Sequence, residues 1–279
     1  MRGWARLAIL FVSIAPNVRA RQDSQAPAPA PATNAPQAPT NSQQLTPRQV
    51  AEMRADILVA RKEFAAAATA YERILASEPK NAALLNKTGM AYQQLGDSEL
   101  AERYYKRATK ADKHFSSAVN NLGTLEYAKG NYGKAIKFYK KAVALSADQA
   151  AYFSNLGYAY CGIKQYGEAM VAFNKALALD PSVFERHTGV GAVIQQRSNP
   201  PDPGMLHFLV AKSYAQVGDA QHAAEYLKMA RDDGYKGFRS ATTDQAFAKV
   251  IKDPRVQDVL RLQPPFTKPE NAPPSPQTP

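Results

Sequence analysis

Apolar positions return every 34 residues through the first two thirds of the chain. Ala55, Gly89, Gly123 and Gly157 form one such series, and Ala67, Ala101, Ala135 and Ala169 another. Tyr71, Tyr105, Tyr139 and Phe173 form a third, and Ile74, Ala108, Ala142 and Ala176 a fourth. Within one period, Phe153, Leu156 and Tyr160 are spaced i, i+3, i+7, which places them on one helical face. Ala169, Phe173 and Ala176 mark a second face, and Pro181 stops that helix because it cannot continue one. Small residues at Gly157 and Ala169 predict a close approach between the two helices. Each period is therefore a helical hairpin, and its constancy predicts hairpins stacked in a row, each burying its neighbour's apolar face.

The tandem copies are 48–81, 82–115, 116–149 and 150–183. They drift in places: Glu126 stands where an aromatic is expected, with Tyr127 beside it, and Lys113 and Ala147 replace the closing proline. A fifth copy, 204–237, carries Ala211, Tyr214, Gly218, Ala223, Leu227 and Ala230, out of phase because 184–203 intervenes. In that insertion Gly189, Gly191 and three prolines oppose regular helix. Val190, Val193 and Ile194 suit either a short hairpin or a distorted helix. Residues 238–262 predict a helical cap of two short helices, over 243–247 and 253–260, with Asp253-Pro254 opening the second.

The copy at 150–183 resembles the tetratricopeptide repeat: bulky–x2–Leu-Gly–x2–Tyr on one helix, Ala–x3–Phe–x2–Ala on the next, then proline. The resemblance implies an all-α fold, a right-handed superhelical solenoid of about five helix-turn-helix repeats with the cap at its end. It also implies a non-catalytic scaffold that binds a protein or peptide in a concave groove lined by the first helix of each repeat. Read by register, the groove offers Asn86, Met90, Asn120, Asn121, Thr124, Tyr127, Asn155 and Tyr158, with Glu52, Asp56 and Lys87 at the first two repeats. Asn121 and Asn155 are one repeat apart, and each amide can both donate to and accept from an extended backbone. The cationic clamp of chaperone-binding relatives is not expected, since Ser117 and Asn121 hold its third-repeat positions.

Charge adds a second surface. The formal net charge is +11, and Arg103, Lys106, Arg107, Lys110, Lys137, Lys140 and Lys141 concentrate it on the second helices of repeats two and three. A solvated face that keeps the array soluble is the plainer reading. The functional one is a basic patch for an acidic glycan or a membrane surface; no nucleic-acid motif accompanies the lysines, and no nucleic-acid partner is expected. The candidate chemistry is thin. His114, His187, His207 and His222 form no HExxH or i, i+4 pair, and Gly189-Val190-Gly191 lacks a third glycine. No catalytic residue, metal or cofactor is expected.

The flanks read differently. Arg2 and Arg6, an apolar run over 7–15 and Val18-Arg19-Ala20 predict a signal peptide over 1–20, cleaved on export, with a retained anchor as the alternative. Residues 21–47 alternate alanine and proline, and 263–279 are again proline-rich; both predict disordered, extended segments. The expected location is periplasmic or secreted. Cys161 is the lone cysteine, expected as a small buried hydrophobe with a free thiol.

Overall fold

The computed structural model describes residues 45–185 and 202–261; the expected signal peptide, most of the linker, residues 186–201 of the insertion and the terminal tail lie outside them. The described residues are helical, with consecutive helices packed in antiparallel pairs, so the chain forms the all-α solenoid its period predicts. The first four pairs are α1 (Pro47–Ala60) with α2 (Phe64–Leu75), α3 (Ala82–Leu95) with α4 (Ser98–Ala111), α5 (Ser116–Ala128) with α6 (Tyr132–Leu145), and α7 (Ala150–Gly162) with α8 (Tyr166–Leu179). The fifth is α9 (Pro203–Val217) with α10 (Ala220–Asp232).

Local chemistry fixes the ends of these helices. Thr46 and Gln49 exchange side-chain and backbone hydrogen bonds in a capping box, and Pro47 sits where its missing N–H costs nothing. Asn81, Asp97, Asp202 and Asp219 accept from the first-turn amides of α3, α4, α9 and α10. The reversal inside each pair occurs at one register, occupied in order by Lys62, Gly96, Gly130, Lys164 and Gly218, and all five have φ between 60° and 88°. Glycine adopts that left-handed conformation without strain, whereas a residue with a Cβ pays about 1–2 kcal/mol. Lys62→Gly and Lys164→Gly are therefore each expected to stabilise the fold by about 1 kcal/mol, raising the thermal midpoint by about 2–4 °C. A lowered midpoint for both would contradict the strained turn.

Inside each pair a small residue faces a ring. A Cβ added at Gly89 would lie 2.6 Å from Tyr105, at Gly123 2.7 Å from Tyr139, and at Gly157 2.4 Å from Phe173. Ala67, Ala101, Ala135 and Ala169, on the second helices, are fully buried. Between pairs, the apolar packing is uneven. One continuous cluster runs from Tyr127 through Phe173, Phe184, Tyr214 and Phe247 to Leu260. The amino-terminal pairs hold three smaller clusters instead.

The end of the chain differs from its sequence pattern. A short helix is expected over 243–247; the structure has 3₁₀ turns at Lys236–Thr242 and Gln245–Phe247. Asp244 caps the second by accepting from the Ala246 amide. The last helix, α11 (Pro254–Arg261), packs on α10, with Val256, Val259 and Leu260 buried. Cys161 is buried in α7, and burial pushes its thiol up to about 12.

Candidate binding surfaces

The asparagines read as groove residues form a ladder within the protein. Asn121 donates to Asn86 at 2.9 Å, and Asn155 donates to Asn120 at 2.9 Å. A longer bond of 3.4 Å from Asn120 to Asn121 links the two steps. Asn120 and Asn121 are each 2 % exposed and Asn155 is 0 % exposed. Thr124 is also buried, donating to the Asn120 carbonyl and accepting from the Tyr139 hydroxyl. Tyr127 lies edge-on to Tyr132 at 5.1 Å, and Tyr158 edge-on to Phe173 at 5.4 Å. Of the eight expected groove residues, Met90 alone is exposed, at 38 %, its sulfur 3.5 Å from the Asn86 amide.

Side chains at these positions can either meet a partner or pack within the stack; seven of the eight are packed, and the amides spend much of their capacity on each other. The physical reason is the offset between neighbouring first helices, which sets an amide of one repeat against the residue 35 positions earlier. The same offset pairs Lys87 with Glu52 at 2.9 Å and Ser117 with Tyr152 at 3.1 Å. A search at spacing 35 rather than 34 would have revealed all four pairs.

The ladder is incomplete at both ends. Asn155 Oδ1 is buried with no hydrogen-bond partner, while the Asn86 amide has only the Met90 thioether to donate to, a weak acceptor. Beyond Asn86 the same side of the stack turns ionic. Lys87 lies between Glu52 and Asp56, each at 2.9 Å, and Asp56 also accepts from the Tyr71 hydroxyl. Burial opposes the charge on Lys87, but the bonds to Asp56 and Glu52 outweigh it and hold its ammonium above the usual lysine value.

At the far end, a hollow of about 520 Å³ opens between α9 and the cap, lined by Lys212, Gln216, Asp244 and Lys249 among others. Lys212 and Gln216 stand in the fifth repeat where Met90 and Gln94 stand in the second, so the same register reaches this hollow. Lys212 pairs with Asp244 at 2.8 Å, and Lys249 donates to the Gln216 carbonyl at 2.8 Å. Among the described residues no group of three or more His, Cys, Asp or Glu side chains is placed to hold a metal ion.

His222 ties the start of the insertion to the fifth repeat. Its ring contacts Asp219 at 2.6 Å and Glu185 at 3.1 Å and stacks on Tyr214 at 4.9 Å. Burial lowers its proton affinity, but Asp219 and Glu185 outweigh this and leave it raised. Asp219 is lowered, because its bonds from His222 outweigh burial. A raised histidine contributes stability below its unfolded value, about 6.5, and loses it as pH rises through the folded value. A lowered aspartate contributes above its unfolded value and loses that as pH falls through the folded one. The cluster thus works best in mildly acidic solution. His222→Gln is expected to cost about 1 kcal/mol at pH 5.5 and clearly less at pH 9, read from paired thermal melts; an equal loss at both would refute the ionic account.

The seven basic residues lie along α4 and α6. Arg103, Lys106, Arg107, Lys110, Lys137, Lys140 and Lys141 are all exposed. Lys106 pairs with Glu102 at 2.7 Å, Arg107 lies over Tyr104 at 5.0 Å, and Lys140 over Tyr160 at 5.6 Å.

Residues 52–94 and 86–150 match one model of the tetratricopeptide repeat, and 150–183 match another. The chain is a tetratricopeptide-repeat protein. No curated protein matches its sequence. Among solved structures, pilF of Pseudomonas aeruginosa shares the tetratricopeptide fold at 19 % identity and a TM-score of 0.50, over 76 % of this chain and 86 % of that one. MamA from Desulfovibrio magneticus RS-1, residues 41 to the end, matches at 19 % identity and 0.46, over 66 % and 95 %. YrrB, described as a tetratricopeptide protein with an unusual peptide-binding site, matches at 17 % and 0.43, over 67 % and 86 %.

Proposed function

We propose that this tetratricopeptide protein is a non-catalytic scaffold of the cell envelope that holds a protein segment along the first helices of its repeats. The observation that carries the reading is the exposed side chain of Met90 on α3, next to the ionic group of Glu52, Asp56 and Lys87, on the side of the stack formed by the first helices. A segment laid along these helices has Met90 as an apolar contact and the ionic group as a polar one. The envelope location rests on the residues of 1–20: two arginines, an apolar run and Val18-Arg19-Ala20.

The test is a photo-crosslinking amino acid placed at Met90, and in a separate variant at Val171 on the opposite helices, in protein expressed with its leader. A protein captured from Met90 supports the reading. Capture from Val171 but not Met90 overturns it. Amino-terminal sequencing of the exported product checks location; an intact Met1 would contradict cleavage near Ala20.

A further inference from the structure

The second helices carry a charge pattern that a partner held by the first helices leaves unused. Arg103, Lys106 and Arg107 of α4 recur 34 residues later as Lys137, Lys140 and Lys141 of α6. The register of Arg107 and Lys141 also holds a cation in the first and fourth repeats, Arg73 on α2 and Lys175 on α8, and all eight side chains are exposed. A cation in each of the first four repeats at one register makes a row that crosses the helices instead of following any of them. Stacked helices lie about 8–10 Å apart, so the row spans on the order of 30 Å.

The nearby acids are engaged elsewhere. Glu102 takes Lys106 at 2.7 Å and Lys129 at 2.8 Å, which holds its carboxyl down at about 2. Glu126 takes Lys129 and Lys134, and Glu72 accepts from the hydroxyls of Tyr92 and Tyr104. Among the described residues Arg73, Arg103, Lys137, Lys141 and Lys175 have no carboxylate partner. The row ends at a hollow of about 460 Å³ between α1 and α2, lined by Arg73 and Arg54 over Ala51, Ala70 and Ile74, with Arg48 there already paired to Glu52 and Glu78. Solubility calls for charge, but it does not call for register.

We propose that this row is a docking surface for a linear acidic polysaccharide, whose carboxylate or sulfate groups are taken one repeat at a time by Arg73, Arg107, Lys141 and Lys175. Arg103, Lys137 and Lys140 deepen the potential at its middle. A periodic site matches a periodic polymer, and a flexible chain can follow a row wherever the stack carries it. Exposed ion pairs are individually weak and screened by salt, so affinity comes from engaging several at once. A bilayer would be better served by apolar side chains beside the cations; in these registers the exposed ones are Val171 and Met229, both past the densest charge. Nucleic acid would be better served by exposed rings for stacking, and the rings here, Tyr104 and Phe138, are half-buried.

The experiment titrates the full chain with polygalacturonate oligomers of graded length, at about 50 and 300 mM NaCl. Affinity is expected to rise with length until the row is covered, then level off, and to fall about tenfold or more at the higher salt. Lys137→Glu/Lys140→Glu/Lys141→Glu should weaken binding about tenfold or more, and Lys141→Gln should give a smaller loss in the same direction. Lys228→Glu/Lys236→Glu/Lys252→Glu, an equal change in net charge at exposed sites near the other end, should cost less than about threefold. Asn120→Leu/Asn155→Leu should bind polygalacturonate like wild type, which separates this surface from the ladder. Absent binding, equal losses in the two triple variants, or tighter binding to phosphatidylglycerol vesicles or duplex DNA would overturn the proposal.

Discussion

Gly157→Leu is expected to lower stability by about 3 kcal/mol, even though leucine gains nearly 1 kcal/mol over glycine in helix propensity. A Cβ at this site lies 2.4 Å from Phe173 Cε1 and 2.5 Å from Cδ1. In the first repeat the same register pairs Ala55 with Tyr71, so one methyl can be accommodated where the ring has room to shift. Phe173 has none: it is fully buried, and Tyr158 and Phe184 lie edge-on to it, each at 5.4 Å. The ring therefore transmits the overpacking into the fifth repeat. A thermal midpoint about 6–12 °C lower should follow. Gly157→Leu/Phe173→Ala should recover part of the loss, because the new side chain then fills space the ring has left. A single variant that melts like wild type would refute the assigned contact.

Asn120→Leu is expected to cost about 2–4 kcal/mol, because it removes the one hydrogen bond of the Asn155 amide and leaves both its ends unsatisfied. Asn155 already lacks a donor for its oxygen, and Asn120 is the acceptor for its nitrogen. Removing both polar partners is a different case. Asn120→Leu/Asn155→Leu replaces a buried pair by apolar groups of similar size, which is often near neutral, so the double variant should be more stable than the single one. Chemical denaturation of the three proteins gives the sign directly, and a double variant less stable than Asn120→Leu would show that the ladder matters for more than mutual satisfaction. By the same reasoning, removing Asn121 and Asn155 as a pair is not neutral to the fold: it strands Asn86 Oδ1 and Asn120 Oδ1, which sequence register alone did not reveal.

The fold was legible because its signals are local and repeated. A glycine opposite a ring, a small residue on each second helix and a turn at one register can each be read within 34 residues and checked three more times. The surfaces were legible only in part. Register correctly sends Arg103, Lys137 and Lys141 to solvent, because the second helices' free sides meet no neighbour. It names the residues on the opposite helices but cannot say whether that face is open, since the answer depends on what the next repeat places 35 residues away. Asn121 looks the same in sequence whether its amide awaits a peptide or rests on Asn86. Left-handed Lys62 and Lys164 were equally hidden, for lysine carries none of the turn signal that Gly96, Gly130 and Gly218 do. The cap is legible as apolar residues in need of cover, but its 3₁₀ turns at Lys236–Thr242 and Gln245–Phe247 are not encoded in periodicity.

The uneven division of the apolar packing gives the molecule a weak side to attack. A protease or a pulling force does not meet five equivalent units. It meets amino-terminal pairs joined through small separate clusters, followed by a single block in which Tyr127, Phe173, Tyr214 and Leu260 share one interior. Loss of order should start at α1 and α2 and stall at that block, leaving a resistant remnant that contains Asn155 and the cap. Any partner lying across α3 and α7 at once would then act as a splint between the two parts, and its residence time would govern how long the amino-terminal repeats survive degradation.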